Sequence, residues 1–286
     1  MTQAAALRSE AEALARTLPR LYLRARASEA VHLGSAGRRR AGTGEDFWQY
    51  RRFVQEDAPS RIDWRRSAKG DTLFVRETEL ETARSVHVWL DPHEGFAWTG
   101  DAARPIKADR ARVLLMAMGQ LLSREGERIG VLGGAPAGFG KRALERLNSQ
   151  LLDPLHETPT PPRHPGTVII ASDFYDPTAL WRERLAPLAS KCRDGVLLAV
   201  SDPVETRFPF EGRVKFSRPG TALQRIFGRA ETIQDEYLER LKQNRAALKK
   251  MSSEFGWRLV SHDTGEAALT GASTLHAALS EIGVGA

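Results

Sequence analysis

Acidic side chains follow three of the predicted strands, at the point where each strand ends. Asp91 follows the apolar run Ser85–Leu90, Asp173 follows Thr167–Ser172, and Asp202 follows the run that ends near Val200. In an open α/β sheet, ligands bind at the carboxyl ends of the strands, and clustered carboxylates suit a hard cation such as Mg²⁺. An aspartate in this position also caps helices, and Asp202-Pro203 is typical of a helix start. Both interpretations stay open.

Three motifs that would indicate an enzyme are incomplete. His93-Glu94 lacks the second histidine of a zinc protease, because position 97 is alanine. The segment Gly134–Arg142 lies between a strand and a helix, as a phosphate loop does, but Ala135 and Arg142 replace residues that the motif requires. Cys192 stands among charged residues with no histidine nearby in sequence, which favours a structural role.

The hydrophobic pattern alternates between strand-length and helix-length segments from residue 85 onward. The predicted strands are 85–91, 127–133, 167–172, 195–202 and 257–262. The predicted helices are 105–124, 141–152, 178–190, 231–255 and 272–282, and another covers 3–18 near the start. Parallel strands need crossover connections, so this order predicts an α/β fold with a mostly parallel sheet and helices on both faces.

The chain divides by composition into two parts. Residues 32–44 are dense in glycine and arginine and are predicted to form a loop that includes Arg38–Arg40. We therefore predict an N-terminal part, 1–80, that holds the helix, the loop and an aromatic segment. The second part, 81–286, holds the α/β domain.

Composition and charge narrow the class of protein. The 286 residues are 41% hydrophobic and 27% charged, with one cysteine and a net charge of +6. One cysteine excludes an internal disulfide framework and suits a reducing compartment. Neither a signal peptide nor a membrane-spanning run is recognisable, so the expected location is the cytoplasm. Basic residues alternate with acidic ones, as in Arg182-Glu183-Arg184, which disfavours nucleic-acid binding.

A sequence signature lies between residues 45 and 76. Its parts are Glu45-Asp46-Phe47-Trp48-Gln49-Tyr50-Arg51-Arg52-Phe53, then Asp57, then Arg61-Ile62-Asp63-Trp64-Arg65-Arg66-Ser67-Ala68, then Leu73-Phe74-Val75-Arg76. In this order they resemble the pattern of a bacterial family called "domain of unknown function fifty-eight". The aromatic residues of the segment could pack beneath a sheet, with Asp63 paired to Arg51 or Arg61, or the segment could be a contact surface.

The resemblance implies a von Willebrand factor A-like fold, whose metal-ion-dependent adhesion site uses D-x-S-x-S, a threonine and a second aspartate. Asp91 matches the first aspartate and Asp173 the later one, whereas His93 and Gly95 stand where the motif has serines. Loss of two hydroxyls removes much of a Mg²⁺ coordination shell, and Glu94 would make a different site. No metal is therefore assigned, although Mg²⁺ stays open as a ligand.

The resemblance also implies a partner, because members of the family are commonly encoded beside AAA+ ATPases of the MoxR type. We predict a non-catalytic protein-binding adaptor that engages such an ATPase or its client in chaperone-like assembly. The predicted binding residues are Asp91, His93, Glu94, Asp173, Arg51, Arg61, Asp63 and Trp64. One alternative is a metal-dependent hydrolase or nuclease that uses Asp91, Glu94 and Asp173. Another is nucleic-acid binding through Arg38–Arg40.

Overall fold

The computed structural model describes residues 2–21, 23, 41–54, 62–68, 70, 72–79, 84–153, 157–217 and 219–282, with backbone alone for 41–51 and 76–79. The chain forms two compact units, one of Met1–Arg24 with Arg84–Gly285 and one of Ala25–Ala83. The sequence-based division at residue 80 grouped the N-terminal helix with the signature segment. The structure instead groups this helix with the α/β unit.

The larger unit is built on a five-stranded parallel sheet, as the alternating pattern predicts. Its strands are β3 (Ser85–Leu90), β4 (Arg128–Val131), β5 (Thr167–Ser172), β6 (Gly195–Ser201) and β9 (Arg258–Asp263). They lie in the order β4-β3-β5-β6-β9, and every neighbouring pair is parallel. Counted within this sheet the order is 2-1-3-4-5, so the direction of winding reverses between β3 and β5.

Helices cover both faces of the sheet. They are α1 (Gln3–Thr17), α3 (Lys107–Arg124), α4 (Gly140–Leu152), α5 (Thr178–Lys191), α7 (Gln234–Glu254) and α8 (Ala268–Ser280). Alternate strand residues point to opposite faces. Val86, Val88 and Leu90 therefore belong to the hydrophobic cluster that includes residues of α1, α3, α4 and α8. Trp89 belongs to the cluster on the other face, which includes residues of α5 and α7. None of the described helices is long and apolar enough to cross a bilayer.

Helix α1 packs on α3 through one face. Leu7, Ala11 and Ala15 are its buried residues. Gln3 donates a hydrogen bond to Asp109 at 2.7 Å, and Arg124 donates to the carbonyl of Ala15 at 2.9 Å. The helix therefore belongs to the core of the α/β unit.

An insertion follows β6 that the sequence analysis did not resolve into elements. It consists of α6 (Pro203–Arg207), the antiparallel hairpin β7 (Val214–Ser217) and β8 (Gln224–Phe227), and a 3-10 turn at Ala230–Ile233. An aromatic cluster supports it, in which Phe208 contacts Phe210, Phe216 and Tyr237 at centroid distances of 5.1, 5.7 and 4.8 Å. The segment between β6 and α7 thus contains a folded hairpin.

The smaller unit contains an antiparallel pair and a short helix. Strand β1 (Ala41–Arg52) pairs with β2 (Phe74–Glu79), and α2 (Trp64–Ser67) lies between them in sequence. The prediction of a loop through residue 44 is wrong for residues 41–44, because Ala41 and Gly42 pair with Glu79 and Thr78. The ladder is irregular between Gly42 and Gln49, which accommodates the glycines that argued for a loop. Residues 32–40, including Arg38–Arg40, lie outside the described residues.

Candidate functional site

The two aspartates expected at the strand ends lie beside each other at the reversal point of the sheet. Asp91 follows β3, and Asp173 follows Ser172, the last residue of the neighbouring strand β5. Ser172 Oγ donates a hydrogen bond to Asp91 Oδ2 at 2.6 Å, and the backbone N–H of His93 donates to Asp91 Oδ1 at 3.0 Å. Burial raises the pKa of Asp91 above its ordinary value, and these two hydrogen bonds only partly oppose that effect.

A buried lysine occupies the other side of Asp173. Lys107, the first residue of α3, has only 1% of its surface exposed. Its ammonium lies 2.8 Å from Asp173 Oδ2 and 2.6 Å from Glu205 Oε1. It also lies 5.1 Å from the ring centroid of Tyr175 and 5.7 Å from that of Trp98. These groups form a complete environment for a cation, because carboxylates and aromatic faces both stabilise ammonium.

The carboxylate of Glu205 joins this lysine to the insertion. Its Oε2 accepts hydrogen bonds from the hydroxyl of Tyr175 at 3.2 Å and from the backbone N–H of Asp202 at 3.0 Å. Burial raises the pKa of Glu205, although the Lys107 ammonium acts in the opposite direction. Burial and the charge of Glu205 also raise the pKa of Tyr175, so its hydroxyl remains a donor at neutral pH.

Asp202 is fully buried and is bound by four donors from three segments of the chain. It accepts from the N–H of Val204 at 2.9 Å, the N–H of Gly100 at 3.2 Å, the Arg104 guanidinium at 3.1 Å and the Thr264 hydroxyl at 3.2 Å. Burial acts to raise its pKa, but hydrogen bonds from Val204, Arg104 and Gly100 outweigh burial and lower it. Asp202 also caps α6, which confirms the interpretation of Asp202-Pro203 as a helix start.

The other two residues predicted to bind a partner at the strand ends, His93 and Glu94, are exposed. The ring Nδ1 of His93 accepts a hydrogen bond from the N–H of Gly95 at 3.1 Å. A β-carbon on Gly220, in the turn of the β7–β8 hairpin, would lie 3.6 Å from Glu94 Oε2. The hairpin turn therefore borders the loop that follows β3.

These residues do not fit the Mg²⁺ that the family resemblance implies. Mg²⁺ requires nearly octahedral oxygen ligands, but the oxygens of Asp173 and Glu205 contact an ammonium, and Asp91 is bound by Ser172 and His93. Across the described residues, no three His, Cys, Asp or Glu side chains form a group that could hold a metal ion. The site is a network of ion pairs and hydrogen bonds closed by the chain itself.

The predicted binding residues of the signature segment have different environments. Asp63 caps α2, because its side chain accepts a hydrogen bond from the N–H of Arg66 at 2.9 Å. Trp64 exposes 64% of its surface, whereas Ile62 is buried and Phe53 is half-buried. The side chain of Arg51 and the whole of Arg61 lie outside the described residues.

Sequence reasoning missed Lys107, Glu205 and Arg104 as members of the site. The spacing Asp202-x-x-Glu205 was an available signal, because an acidic residue followed three positions later by glutamate is typical of a capping box. No comparable signal marks Lys107, since a lysine in the first turn of a helix is usually exposed and opposes the helix dipole. Its burial depends on partners distant in sequence.

Comparison with known protein families agrees with the signature. The family described as "Protein of unknown function DUF58" matches residues 49–247, which is well over half of the chain. No curated protein and no solved structure matches the chain. The matched range includes the signature segment from Gln49, the sheet as far as β6 and the Lys107 network. The chain therefore belongs to the DUF58 family.

Proposed function

We propose that this protein is a non-catalytic adaptor that binds an AAA+ ATPase of the MoxR type or a client of that ATPase. The observation that carries the proposal is the closure of the strand-end site. Asp91, Asp173, Asp202 and Glu205 are each bound by fixed donors of the same chain. Catalysis by a carboxylate needs an oxygen that can reach a substrate proton or a metal. Because donors of the chain already bind these four carboxylates, the site favours a non-catalytic role.

A von Willebrand factor A-like architecture is part of the proposal. Its support is the position of Asp91 and Asp173 at the ends of the neighbouring strands β3 and β5, where the resemblance puts the two aspartates of the adhesion motif. The replacement of the serines by His93 and Gly95 agrees with a binding fold that has lost its metal ligands. The metal-dependent hydrolase gains no support, because Asp173 is paired with Lys107 and Asp91 accepts the hydrogen bond of Ser172.

The best candidate for the contact surface is the exposed part of α2, formed by Trp64, Arg65 and Arg66. Tryptophan and arginine dominate binding energy in protein interfaces because they combine large apolar area with several hydrogen-bond donors. An exposed tryptophan is otherwise unfavourable in water, and the helix cap at Asp63 fixes the start of α2. Trp64 belongs to the signature segment, and the proposed partner is implied only by the resemblance that this segment carries.

The test is a binding titration between the purified protein and a MoxR-type ATPase of the same organism. We expect Trp64→Ala to weaken binding by roughly 30-fold, which corresponds to about 2 kcal/mol, the threshold of a binding hot spot. Leu269→Ala is the matched control, because Leu269 is a large exposed apolar residue on the other unit. No binding by the wild-type protein would refute the adaptor function. Equal effects of the two substitutions would remove α2 from the proposal.

A double variant tests whether the strand-end site contacts the partner. Asp91→Ala combined with Asp173→Ala removes both predicted binding carboxylates. If the cleft contacts the partner, this double variant binds more weakly while its melting curve stays cooperative. Unchanged affinity would assign the cleft a purely structural role.

A further inference from the structure

The ammonium of Lys107 lies among groups that stabilise a cation. Three of its neighbours are acidic or electron-rich groups from two segments: Asp173 and the ring of Tyr175 follow β5, and Glu205 lies in α6. The ring of Trp98 completes the environment. Lys107 thus joins the start of α3, the end of β5 and the insertion at one point.

The charge balance at this point requires a cation. Asp173 and Glu205 accept from the same ammonium, 2.8 and 2.6 Å from it, so their oxygens face each other across a short gap. Two buried carboxylates at such separation repel each other unless a cation or a proton lies between them. With Lys107 in place the site needs no ion from solution.

The lysine differs from a metal ion because it cannot dissociate from the site into solution. A metal dissociates and its occupancy follows its concentration in solution, whereas a side-chain ammonium is covalently attached. An ammonium also accepts irregular geometry, which Mg²⁺ does not. The surrounding contacts match the lysine, because its donors reach two carboxylates while two aromatic faces lie within cation–π distance.

We propose that Lys107 permanently supplies the cation of this strand-end site, so that the site excludes divalent metal ions and its structure is independent of them. The inference concerns the isolated chain and does not rest on the proposed adaptor function. It predicts that removal of the lysine side chain, with both carboxylates kept, converts the site into one that binds a divalent cation.

The first measurement uses the wild-type protein with Mn²⁺ as a spectroscopic probe. Electron paramagnetic resonance should show no stoichiometric binding of Mn²⁺, and the melting temperature should be the same in EDTA and in Mg²⁺. Stoichiometric Mn²⁺ binding that Asp173→Asn abolishes would overturn the proposal.

The second measurement compares Lys107→Ala with Lys141→Ala, in which an exposed lysine is removed. In EDTA, Lys107→Ala should melt well below the wild type, and Mn²⁺ should restore part of the loss. Its affinity for Mn²⁺ should exceed that of the wild type by at least about tenfold, because two facing carboxylates become available. Lys141→Ala should behave like the wild type throughout. A folded Lys107→Ala variant with no Mn²⁺ binding would overturn the proposal.

If Lys107→Ala does not fold, the test compares Lys107→Met with a triple variant that also lacks the two carboxylates. Adding Asp173→Asn and Glu205→Gln to Lys107→Met removes the unpaired carboxylates while it keeps the shapes of the side chains. We expect this triple variant to melt higher than Lys107→Met alone. A triple variant that melts at the same temperature or lower would show that the lysine does not neutralise this pair.

Discussion

The hydroxyl of Ser172 donates a 2.6 Å hydrogen bond to the carboxylate of Asp91 and so connects the ends of two neighbouring strands. The same oxygen accepts a hydrogen bond from the N–H of Phe174 at 3.1 Å. Ser172 therefore fixes both the loop that follows β3 and the loop that follows β5. A cleft at the reversal point of an open sheet is usually available to ligands. Here a side chain of the protein bridges it.

The pH dependence of stability should report the state of Asp91. Burial raises the pKa of Asp91, so the folded protein binds this proton more tightly than the unfolded chain does. The contribution of Asp91 to stability is fully present below the ordinary aspartate pKa of about 3.9 and is lost as the pH rises through the folded value. Relative to Asp91→Asn, the wild-type free energy of unfolding should fall over this window and then level off.

Urea unfolding of both proteins across a series of pH values measures this difference. Asp101→Asn is a suitable control, because Asp101 is an exposed aspartate in the same unit. A wild-type advantage that grows with pH would contradict the prediction, since that sign belongs to a carboxyl whose pKa is lowered.

Asp202 should show the opposite pH dependence and a larger effect of substitution. Its hydrogen bonds lower its pKa, so its contribution is present above the ordinary aspartate value and is lost as the pH falls through the folded one. At neutral pH we expect Asp202→Ala to cost about 3–5 kcal/mol, because the half-buried Arg104 loses its buried carboxylate partner and the N–H groups of Val204 and Gly100 lose their acceptor. Asp202→Asn should cost less, about 1.5–3 kcal/mol, since it retains one acceptor. Chemical denaturation measures the free energy of unfolding of both variants. A loss of stability in Asp202→Ala smaller than the contribution of an exposed ion pair would contradict the prediction.

Much of the α/β unit could be predicted from sequence because its elements have strong local signals. Strand β5 was predicted with the bounds that the structure gives, since its apolar run is buried on both faces. Helix α8 was predicted to start at residue 272 but starts at Ala268. The prediction missed this start because no side chain caps the first turn of the helix, so the usual sequence signal is missing. The hairpin β7–β8 was missed, since its two strands have only four residues each and lie among proline and glycine.

The candidate site could be predicted only in part. Asp91 and Asp173 were found because strand ends can be located from the hydrophobic pattern, and parallel pairing then places them together. Lys107 and Glu205 are 98 residues apart. Their pairing depends on where the folded chain places α6, and no local sequence pattern indicates that position. A sequence without its fold therefore suggested an open acidic cleft, and the folded chain has an ammonium there.

Phe174 provides a test of backbone strain next to Asp173. Its φ is 55°, in the left-handed region, and its ring is buried 4.7 Å from that of Trp181. Both Phe174→Ala and Phe174→Gly lose this packing, at a cost of about 3–5 kcal/mol for the alanine variant. The glycine variant should be more stable than the alanine variant by about 1 kcal/mol, because only glycine adopts this φ without strain.

The control for Phe174 is Phe96, which is also fully buried but is not among the described non-glycine residues with positive φ. At Phe96 the order should reverse, with glycine less stable than alanine, because glycine gains more freedom in the unfolded chain. The same order at both positions, measured by urea unfolding, would show that Phe174 stores no backbone strain.

Gly271 in α8 should tolerate alanine only when His262 is removed. In an exposed helix, glycine to alanine stabilises by about 1 kcal/mol. A β-carbon on Gly271, however, would lie 2.7 Å from Nδ1 and 2.8 Å from Cγ of His262, whose ring is buried in the neighbouring strand β9. We therefore expect Gly271→Ala to destabilise the wild type by about 1–3 kcal/mol, the usual cost of overpacking a core.

In the His262→Ala background the same change should be neutral or stabilising. A double-mutant cycle at neutral pH, where burial lowers the pKa of His262 and keeps the ring uncharged, measures this coupling. Equal effects in the two backgrounds would show that the helix moves away from the strand without cost.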